Sequence, residues 1–480
     1  MYHEHPLRIL RYSMKNIWLL IFPLLRGVSV IRFDPAGIYA WIKGAWLDIA
    51  IIGVIILFGF VRWYFSKISI TENAIMHTDG LFFKIIRTIP IKNISAVTSE
   101  RLFYLIPFKA MTFKCDTRAG FFKSTDMKLL VNMKVGAELI SRIPKPDEKN
   151  QAYSMPEPTA LSVILFSVFF SSGFSGAVYI ATFFFKGGDI AHDILSVWFD
   201  KITQTTEKIT EKLLLRVPQA GIIIGVFFLA AWLVSLIVNL LRYSRFKVSA
   251  DEKYINISYG ITNRKEYRIR MKCINYTDLR QNLIMKIFRA VTVNISCSGY
   301  GDGSRQLPVL LPMRKKNNLG SGLEKMNIPS KEKIDFRPKP SGIISYIWQP
   351  ALGASSVFVI YQFVSEYAHS ISELLFFIAV MAEIPLVWLT AVKIAALFSS
   401  GITIENDIIT VRSSHLTAFH TVIAETDKVV IFDIKQTIFQ RITNKKCHVY
   451  IWFSGESKSR FKVKSLSLAD GRKIAEMLKN

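Results

Sequence analysis

Long apolar runs constrain this chain more than any other feature of its sequence. Five of them have about 19 residues or more, which at roughly 1.5 Å of rise per residue lets a helix cross a hydrocarbon core of about 30 Å. Buried helices of soluble proteins usually need only about 10 to 14 apolar residues. The sequence therefore predicts membrane-spanning helices at Ala45–Trp63, Ala160–Phe185, Ala220–Leu241, Ile343–Val364 and Leu374–Phe398.

Charge predicts how these helices are oriented. The net charge is +25 although 51% of the residues are hydrophobic, and basic residues concentrate in the polar segments that follow pairs of apolar runs. Because basic flanks stay in the cytoplasm, the N-terminus and three basic segments are predicted on that side. An even number of crossings must then precede each segment, so the short Ile17–Ile31 run is counted as a sixth span. We expect three helical hairpins, with both termini cytoplasmic.

The polar segments repeat one another. Lys67–Leu81 (KISITENAIMHTDGL) aligns without a gap with Lys247–Ile261 (KVSADEKYINISYGI), and Gly401–Ser414 is a third copy. At the same offset, Ile89–Ile94 aligns with Ile269–Ile274. Apolar and polar residues alternate with period two in these segments, which indicates short antiparallel strands.

Turn and cap residues complete the repeated unit. Gly260 follows a strand pattern and precedes a reversal, so it is predicted at positive φ. The last copy ends in a helical pattern with Ser467 as N-cap and Asp470 three residues later. The unit is thus two membrane helices followed by a small β domain that a helix closes. The predicted segments are transmembrane hairpins at 1–63, 159–241 and 343–398, and β domains at 64–150, 242–330 and 399–480.

The order of residues in the copies resembles a known family. The middle copy carries Gly260, Lys265, Ile269, Ile274, Gln281, Phe288, Thr292, Val293, Ile295 and Gly299. The first keeps Gly80, Ile89, Pro90, Ile94 and Thr112, and the third is the most divergent but keeps Gln436. This pattern is similar to the bacterial pleckstrin-homology-like (PH-like) domains of the YdbS/YdbT membrane proteins. The resemblance implies an α+β protein of the bacterial inner membrane, in which each hairpin precedes a PH-like antiparallel β-barrel with a C-terminal helix.

Motifs for enzyme chemistry are absent from the sequence. It has no GxGxxG, P-loop, HExxH or nucleophile elbow. The four cysteines lie in the basic segments without zinc spacing, and His415 and His420 have no carboxylate or cysteine partner nearby in sequence. The HEHP motif at His3–Pro6 could bind a metal, but no further ligand lies near it in sequence. We expect no catalytic residues, no metal and no cofactor.

A basic run in the middle copy is the first candidate site. It comprises Arg264, Lys265, Arg268, Arg270 and Lys272. Alternate residues of a strand project from one face, and juxtamembrane cations each contribute about 1 kcal/mol of attraction to acidic lipid. The run is therefore a candidate contact for lipid headgroups or a partner, although the ordinary bias of basic residues toward the cytoplasm also accounts for it. Nucleic acid is not expected, since aromatic residues do not interleave with the basic ones.

Two further candidates lie outside the β domains. Glu383 falls inside the last apolar run, where a carboxylate costs at least about 2.5 kcal/mol and usually faces a partner, a cavity or a path. Gln349, Pro350 and Lys393 are candidate neighbours, and a protonated Glu383 in a packed bundle is the alternative. Trp198 lies in an apolar helical stripe of the long extracytoplasmic loop Asp189–Val217. This stripe would bind a partner, or would pack on the membrane or the bundle.

These features favour a non-enzymatic scaffold over other functions. We expect a scaffold, or a component of envelope stress or antimicrobial defence, that binds proteins and membrane lipids through three cytoplasmic domains. Its partners would be another membrane protein, a homologous PH-like membrane protein or a second copy of the chain. The alternative is a transporter or export accessory that uses Glu383 in a polar path, although transport folds usually repeat such charges.

Overall fold

The structure is a computed structural model of the full chain of 480 residues. The structure does not describe every segment of the chain; the loop containing Trp198 and the Ile17–Ile31 run are among those left out. The segments outside the description are 14–34, 82, 119–124, 143–152, 155–157, 171–218, 298–308, 317–322, 324–333, 368–371, 444, 456–458 and 480.

The apolar runs form helices where the structure describes them. They are α1 (Pro35–Phe65), α3 (Ala160–Phe170), α4 (Gln219–Tyr243), α6 (Ile343–Tyr367) and α7 (Ser372–Ser399), while α2 (Met133–Ser141) belongs to the first β domain. Within the described part of the chain, two stretches are long and apolar enough to cross a membrane, Pro340–Tyr367 and Ile378–Ser399. Shorter apolar stretches lie in α1 and α4. The third hairpin is thus present as a pair of packed helices, and the first two hairpins stay predictions.

Each β domain consists of two groups of three strands, which we call the leading and the trailing sheet. The leading sheets are β2 (Lys67–Ile70), β3 (Ala74–Asp79) and β4 (Ile85–Pro90) in repeat 1; β9 (Lys247–Ala250), β10 (Tyr254–Tyr259) and β11 (Arg264–Arg270) in repeat 2; and β15 (Gly401–Glu405), β16 (Ile408–His415) and β17 (Ala418–Glu425) in repeat 3. The short strands β1 (Tyr2–His3) and β8 (Tyr153–Ser154) extend the first two of these sheets.

The trailing sheets follow a short 3-10 turn in every repeat. They are β5 (Ile94–Arg101), β6 (Ala110–Thr117) and β7 (Met127–Asn132); β12 (Ile274–Asn282), β13 (Ala290–Cys297) and β14 (Val309–Lys315); and β18 (Val429–Lys435), β19 (Lys446–Phe453) and β20 (Ser459–Ser467). Two short helices, α5 (Leu283–Ile287) and α8 (Ile438–Thr443), join the first two strands of the second and third trailing sheets. Helix α9 (Leu468–Met477) closes repeat 3, with Ser467 at its N-cap as predicted.

Glycine fixes the reversal after the second strand in repeats 1 and 2. Gly80 has φ of 123° and Gly260 has φ of 98°, a region that L side chains rarely adopt. A Cβ on Gly260 would collide with the carbonyl oxygen of Asn263. The predicted positive φ of Gly260 is confirmed.

The predicted closed barrels are not confirmed. In the part of the chain that the structure describes, every sheet is open, and two sheets run across the boundary between repeats. Strand β5 of repeat 1 pairs with β11 of repeat 2, which gives a seven-stranded sheet. Strand β12 of repeat 2 pairs with β17 of repeat 3, which gives a six-stranded sheet. In repeat 2, the edges of β11 and β12 that would face each other in a barrel are thus both paired with a neighbouring repeat.

The hydrophobic cores also cross the repeat boundaries. Each repeat has its own cluster of buried aliphatic and aromatic residues between its two sheets. Ala96 on β5 packs into the core of repeat 2, however, and Tyr276 on β12 packs into the core of repeat 3. One face of each of these strands thus completes the core of the next repeat. The repeats are therefore not independent domains, and we call the three of them together the β body.

Candidate functional site

The basic run of the middle copy lies at the first junction between repeats. Strand β11 pairs with β5 in register from Arg264 opposite Arg101 to Ile269 opposite Ala96. The Lys265 ammonium lies 3.2 Å from the Glu100 carboxylate of repeat 1. This contact joins a cation of one repeat to an anion of the other.

Two arginines of the same run reach further into repeat 1. Arg268 is only 4% exposed, and its guanidinium donates a hydrogen bond of 2.6 Å to the carbonyl oxygen of Ile140 at the end of α2. Burial lowers the pKa of Arg268, and Glu266 at 3.3 Å opposes that shift. Arg270 donates to the carbonyl oxygens of Lys92 and Ile91. Both guanidiniums thus bind backbone carbonyls of the preceding repeat.

These contacts correct the expectation that alternate cations of the run face the membrane together. Arg268 is buried, while Lys265 and Arg270 are engaged with repeat 1. Arg264 and Lys272 are exposed. A lipid contact by this run therefore stays a prediction for Arg264 and Lys272 alone.

The second junction has the same construction with other residues. Strand β12 pairs with β17 from Thr277 opposite Ile423 to Asn282 opposite Ala418. The fully buried Asp278 carboxylate lies 2.8 Å from Nδ1 of His420. The hydroxyl of Tyr276 donates to Oγ of Ser459 in repeat 3 at 2.7 Å. The acid again comes from the trailing sheet and the base from the leading sheet of the next repeat.

Sequence reasoning missed both junctions. His420 has no acidic neighbour in sequence, and its partner Asp278 is 142 residues away. A usable signal was present in the sequence, because Asp278 lies in a β-strand pattern beside the apolar residues Tyr276 and Leu279. A charge at such a position is rarely left unpaired.

Each trailing sheet also carries an apolar tip between its first two strands. Tip 1 contains Phe103, Tyr104, Ile106 and Phe108; tip 2 contains Ile287 and Phe288; tip 3 contains Ile438, Phe439 and Ile442. All of these side chains are more than half exposed, and Phe439 is 82% exposed. Cations flank the tips at Lys109, Arg289 and Arg441. Exposed aromatic and aliphatic groups beside cations are typical of surfaces that contact a membrane interface.

Tip 2 lies next to the end of α7 that leads into repeat 3. Leu283 packs with the buried cluster that contains Val392 and Phe419. The Lys286 ammonium lies 4.4 Å from the centroid of the Phe419 ring. Burial, together with the charges of Arg412 and Lys316, lowers the pKa of Lys286 to about 8. The tip is therefore at the base of the apolar helix α7 rather than at the far end of the β body.

Comparison with known proteins agrees with this architecture. The family model for the bacterial PH domain matches residues 21–145 and 212–325, which cover repeats 1 and 2. The UPF0699 transmembrane protein YdbT of Bacillus subtilis (strain 168) is 33% identical over 101 residues. The chain is a YdbT-like protein with bacterial PH domains. The aligned stretch spans 20% of this chain and 20% of the relative, and no solved structure matches.

Glu383 lines an apolar groove of this YdbT-like protein between α6 and α7. The groove has a volume of about 560 Å³ and is lined by residues such as Phe358, Tyr361 and Trp388. In the described part of the chain, the Glu383 carboxylate has no hydrogen-bonding or ion-pairing partner. Lys393 is not its partner, because that ammonium donates to the carbonyl oxygen of Leu416 at 3.0 Å. The side chain thus faces the groove.

The other sequence candidates are the stripe around Trp198 and the residues that could ligate a metal. Trp198 and its helical stripe lie outside the described residues. Among the described residues, no group of three or more His, Cys, Asp or Glu side chains could hold a metal ion. In the HEHP motif, Ser66 donates to the Glu4 carboxylate at 2.9 Å, and a ring nitrogen of His5 lies 3.0 Å from the carbonyl oxygen of Phe108. These contacts attach the N-terminal segment to repeat 1.

Proposed function

We propose that this chain is a non-enzymatic, membrane-anchored scaffold whose three PH repeats act as one rigid body on the cytoplasmic side. The observation that carries the proposal is the pairing of β5 with β11 and of β12 with β17. Pairing of this kind fixes the spacing and orientation of the repeats, because backbone hydrogen bonds and a shared core resist their separation. A body of fixed shape suits the presentation of several binding surfaces to partners.

The charge of the β body and the position of the apolar helices support a cytoplasmic location for the β body. The β body carries basic segments, which stay in the cytoplasm of bacteria. Helices α6 and α7 meet the β body at the same end of repeat 3, where Lys464 donates to the carbonyl oxygen of Ser345 and Ser465 donates to the Ser345 hydroxyl. The proposal therefore places the termini and all three repeats inside the cell, as a multi-pass protein of the inner membrane.

The tips give the scaffold a second attachment to the membrane. An exposed Phe side chain contributes roughly 1.5 to 3 kcal/mol when it leaves water completely. Three tips that insert their apolar side chains at the interface would hold the β body against the leaflet. The flanking cations would add attraction to acidic lipids.

A second candidate function rests on Glu383. An intramembrane carboxylate that faces a groove without a described partner is a recurrent feature of proton and substrate paths. The groove suits a transporter or export accessory, in which Glu383 would carry a proton or bind a cationic group.

One experiment separates the two functions. The tagged full-length chain is purified from bacterial membranes in a mild detergent as wild type, as Glu383→Gln and as Phe439→Ser with Ile442→Ser. Co-purifying proteins are quantified by mass spectrometry, and substrate or proton flux is measured in vesicles. Scaffolding predicts that recovery of the partners survives Glu383→Gln. Recovery should decline with the tip variant, because the tips hold the β body and the surfaces it presents against the leaflet. Flux that Glu383→Gln abolishes, with no partner dependent on the β body, would overturn the scaffold proposal.

A further inference from the structure

Among the strands that end a sheet in the described part of the chain, β4 and β18 belong to the two strand types that pair at the internal junctions. Within the described residues, β4 of repeat 1 pairs only with β3, and β18 of repeat 3 pairs only with β19. Both edges are apolar, since Ile85 and Ile86 on β4 and Val430 and Ile431 on β18 are each about half exposed or more. Long apolar edges usually recruit another strand.

These two strands occupy equivalent places in the repeats. Strand β4 is the last strand of a leading sheet, as are β11 and β17. Strand β18 is the first strand of a trailing sheet, as are β5 and β12. At both internal junctions, a strand of the β18 type pairs antiparallel with a strand of the β4 type from the following repeat. Repeats 1 and 3 therefore present the two halves of a junction that the chain forms twice internally.

The two internal junctions share one register. Counted from the 3-10 turn between the sheets, Thr98 is equivalent to Asp278, and Tyr267 is equivalent to Val422. Thr98 lies opposite Tyr267, and Asp278 lies opposite Val422. At the open edges the same positions are held by Asp433 and Arg87. The shared register would thus place a carboxylate directly opposite a guanidinium.

We propose that β18 of one copy of this chain adds to β4 of a second copy in this register, with Asp433 opposite Arg87 and Ile431 opposite Ile89. The inference deepens the proposed scaffold function, on which it rests, by naming the chain itself as a partner. Head-to-tail contacts of this kind either close into a ring or extend into a filament.

Charge polarity supports a second copy as the occupant. At the internal junctions, the trailing sheet supplies the acid, Glu100 or Asp278, and the leading sheet supplies the base, Lys265 or His420. Asp433 on β18 and Arg87 on β4 have the same polarity. Within the described residues, the ion pair of Asp433 is with Lys435, two positions further along the same strand, at 3.5 Å. A facing guanidinium would complete the arrangement.

The apolar contacts point to the same occupant. Ala96 and Tyr276 enter the core of the following repeat and are 1% and 3% exposed. Ile431 is their equivalent on β18, and it is 47% exposed. Addition to β4 would bring Ile431 against Ile89, a member of the repeat 1 core. The edge of repeat 3 therefore presents the residue that a following repeat would bury.

Disulfide trapping tests the pairing directly. Two differently tagged full-length chains, one with Arg87→Cys and one with Asp433→Cys, are expressed in the same bacterial membrane and oxidised with copper phenanthroline. Directly opposed residues have Cβ atoms about 4.5 to 5.5 Å apart, which is within reach of a disulfide after small adjustments. The four native cysteines are buried and give a low background. We expect a cross-linked product that carries both tags, and none when Glu476→Cys replaces Asp433→Cys as the exposed control.

Charge exchange distinguishes a contact from a folding defect. Arg87→Glu or Asp433→Arg alone should weaken self-association by about tenfold or more, as expected for a broken interfacial charge pair. The two substitutions in one chain should restore it, as measured by mass photometry in mild detergent. Leu416→Asp, in the exposed turn between β16 and β17, is on neither edge strand and should have no effect.

Three results would overturn the inference. They are the absence of a doubly tagged product, an equal yield of that product when Glu476→Cys replaces Asp433→Cys, and a double charge variant that stays monomeric. Partner recovery with monomeric chains would leave the scaffold proposal standing and remove only this inference. Self-association without any other partner would support the pairing of β18 with β4. It would limit the scaffold function to copies of this chain.

Discussion

The Lys265 ammonium and the Glu100 carboxylate lie 3.2 Å apart across the line where repeat 2 joins repeat 1. The same carboxylate also accepts a hydrogen bond of 2.9 Å from Lys114 on β6. Glu100 is buried, so two ammonium groups share one carboxylate with little water nearby. The anion thus connects the trailing sheet of one repeat with the leading sheet of the next.

Removal of this anion should weaken the first junction. Glu100→Gln keeps the size of the side chain but removes the negative charge that Lys114 and Lys265 share, which should lower the free energy of unfolding by about 2 kcal/mol. Hydrogen exchange of the full-length chain should show faster exchange in β5 and β11. Lys272→Gln, at an exposed position of the same basic run, is the control and should change stability by less than about 0.5 kcal/mol. Equal effects of the two substitutions would contradict this role of Glu100.

The contrast between Gly260 and Arg268 shows how far the sequence could predict the structure. Gly260 was predictable because a reversal at positive φ is a local requirement. The third pair of apolar helices and the strands were predictable for the same reason, since length and period are local patterns. Arg268 was not, because its alternation with Arg270 says which face it shares but not what covers that face. Its partner is the carbonyl oxygen of Ile140, which belongs to another repeat.

Partner choice between strands is the part that sequence periodicity could not supply. The pattern of Ala96 indicates a strand residue on one face of β5, and the same pattern fits a closed barrel or a sheet shared with repeat 2. Only the pairing of β5 with β11 decides between them. Asp278 is the informative exception, because a carboxylate in a buried strand requires a partner such as His420.

A buried histidine should make repeat 3 sensitive to acid. Burial, followed by the charges of Lys462 and Lys464, lowers the pKa of His448 to about 4, and Nδ1 of the ring accepts a hydrogen bond from the amide of Ser465 at 3.1 Å. An unfolded chain protonates this ring near pH 6.5. Between about pH 6.5 and pH 4 the unfolded state therefore binds the additional proton, and stability falls as the pH is lowered through that window.

The test compares wild type with His448→Gln, whose amide oxygen could accept the same hydrogen bond without titrating. We expect the wild type to lose about 2 kcal/mol in repeat 3 between pH 6.5 and pH 4, and the variant to lose less. Hydrogen exchange of β19 and β20 is the measurement. Identical pH dependence in the two chains would show that His448 is not the group responsible.

Topology can be tested with single cysteines. Because Cys115, Cys273, Cys297 and Cys447 are buried, an introduced exposed cysteine should dominate labelling by a membrane-impermeant maleimide. We expect Tyr367→Cys, at the end of α6, to react with the maleimide while the inner membrane is intact, provided that the reagent can reach the outer face of that membrane. Lys272→Cys should react only after the inner membrane is opened. Labelling of Lys272→Cys in intact cells would contradict a cytoplasmic β body.

The tips predict a contact that depends on lipid. In nanodiscs that contain anionic lipid, residues 438–443 should exchange amide hydrogens more slowly than in detergent, because the interface would cover Ile438, Phe439 and Ile442. Phe439→Ser should remove roughly 2 kcal/mol of this interfacial stabilisation and restore fast exchange. Met477→Ser, an exposed apolar position on α9, is the matched control and should leave the exchange of tip 3 unchanged. Tip 3 that exchanges equally fast in nanodiscs and detergent would mean that its apolar side chains face a partner or water rather than the leaflet.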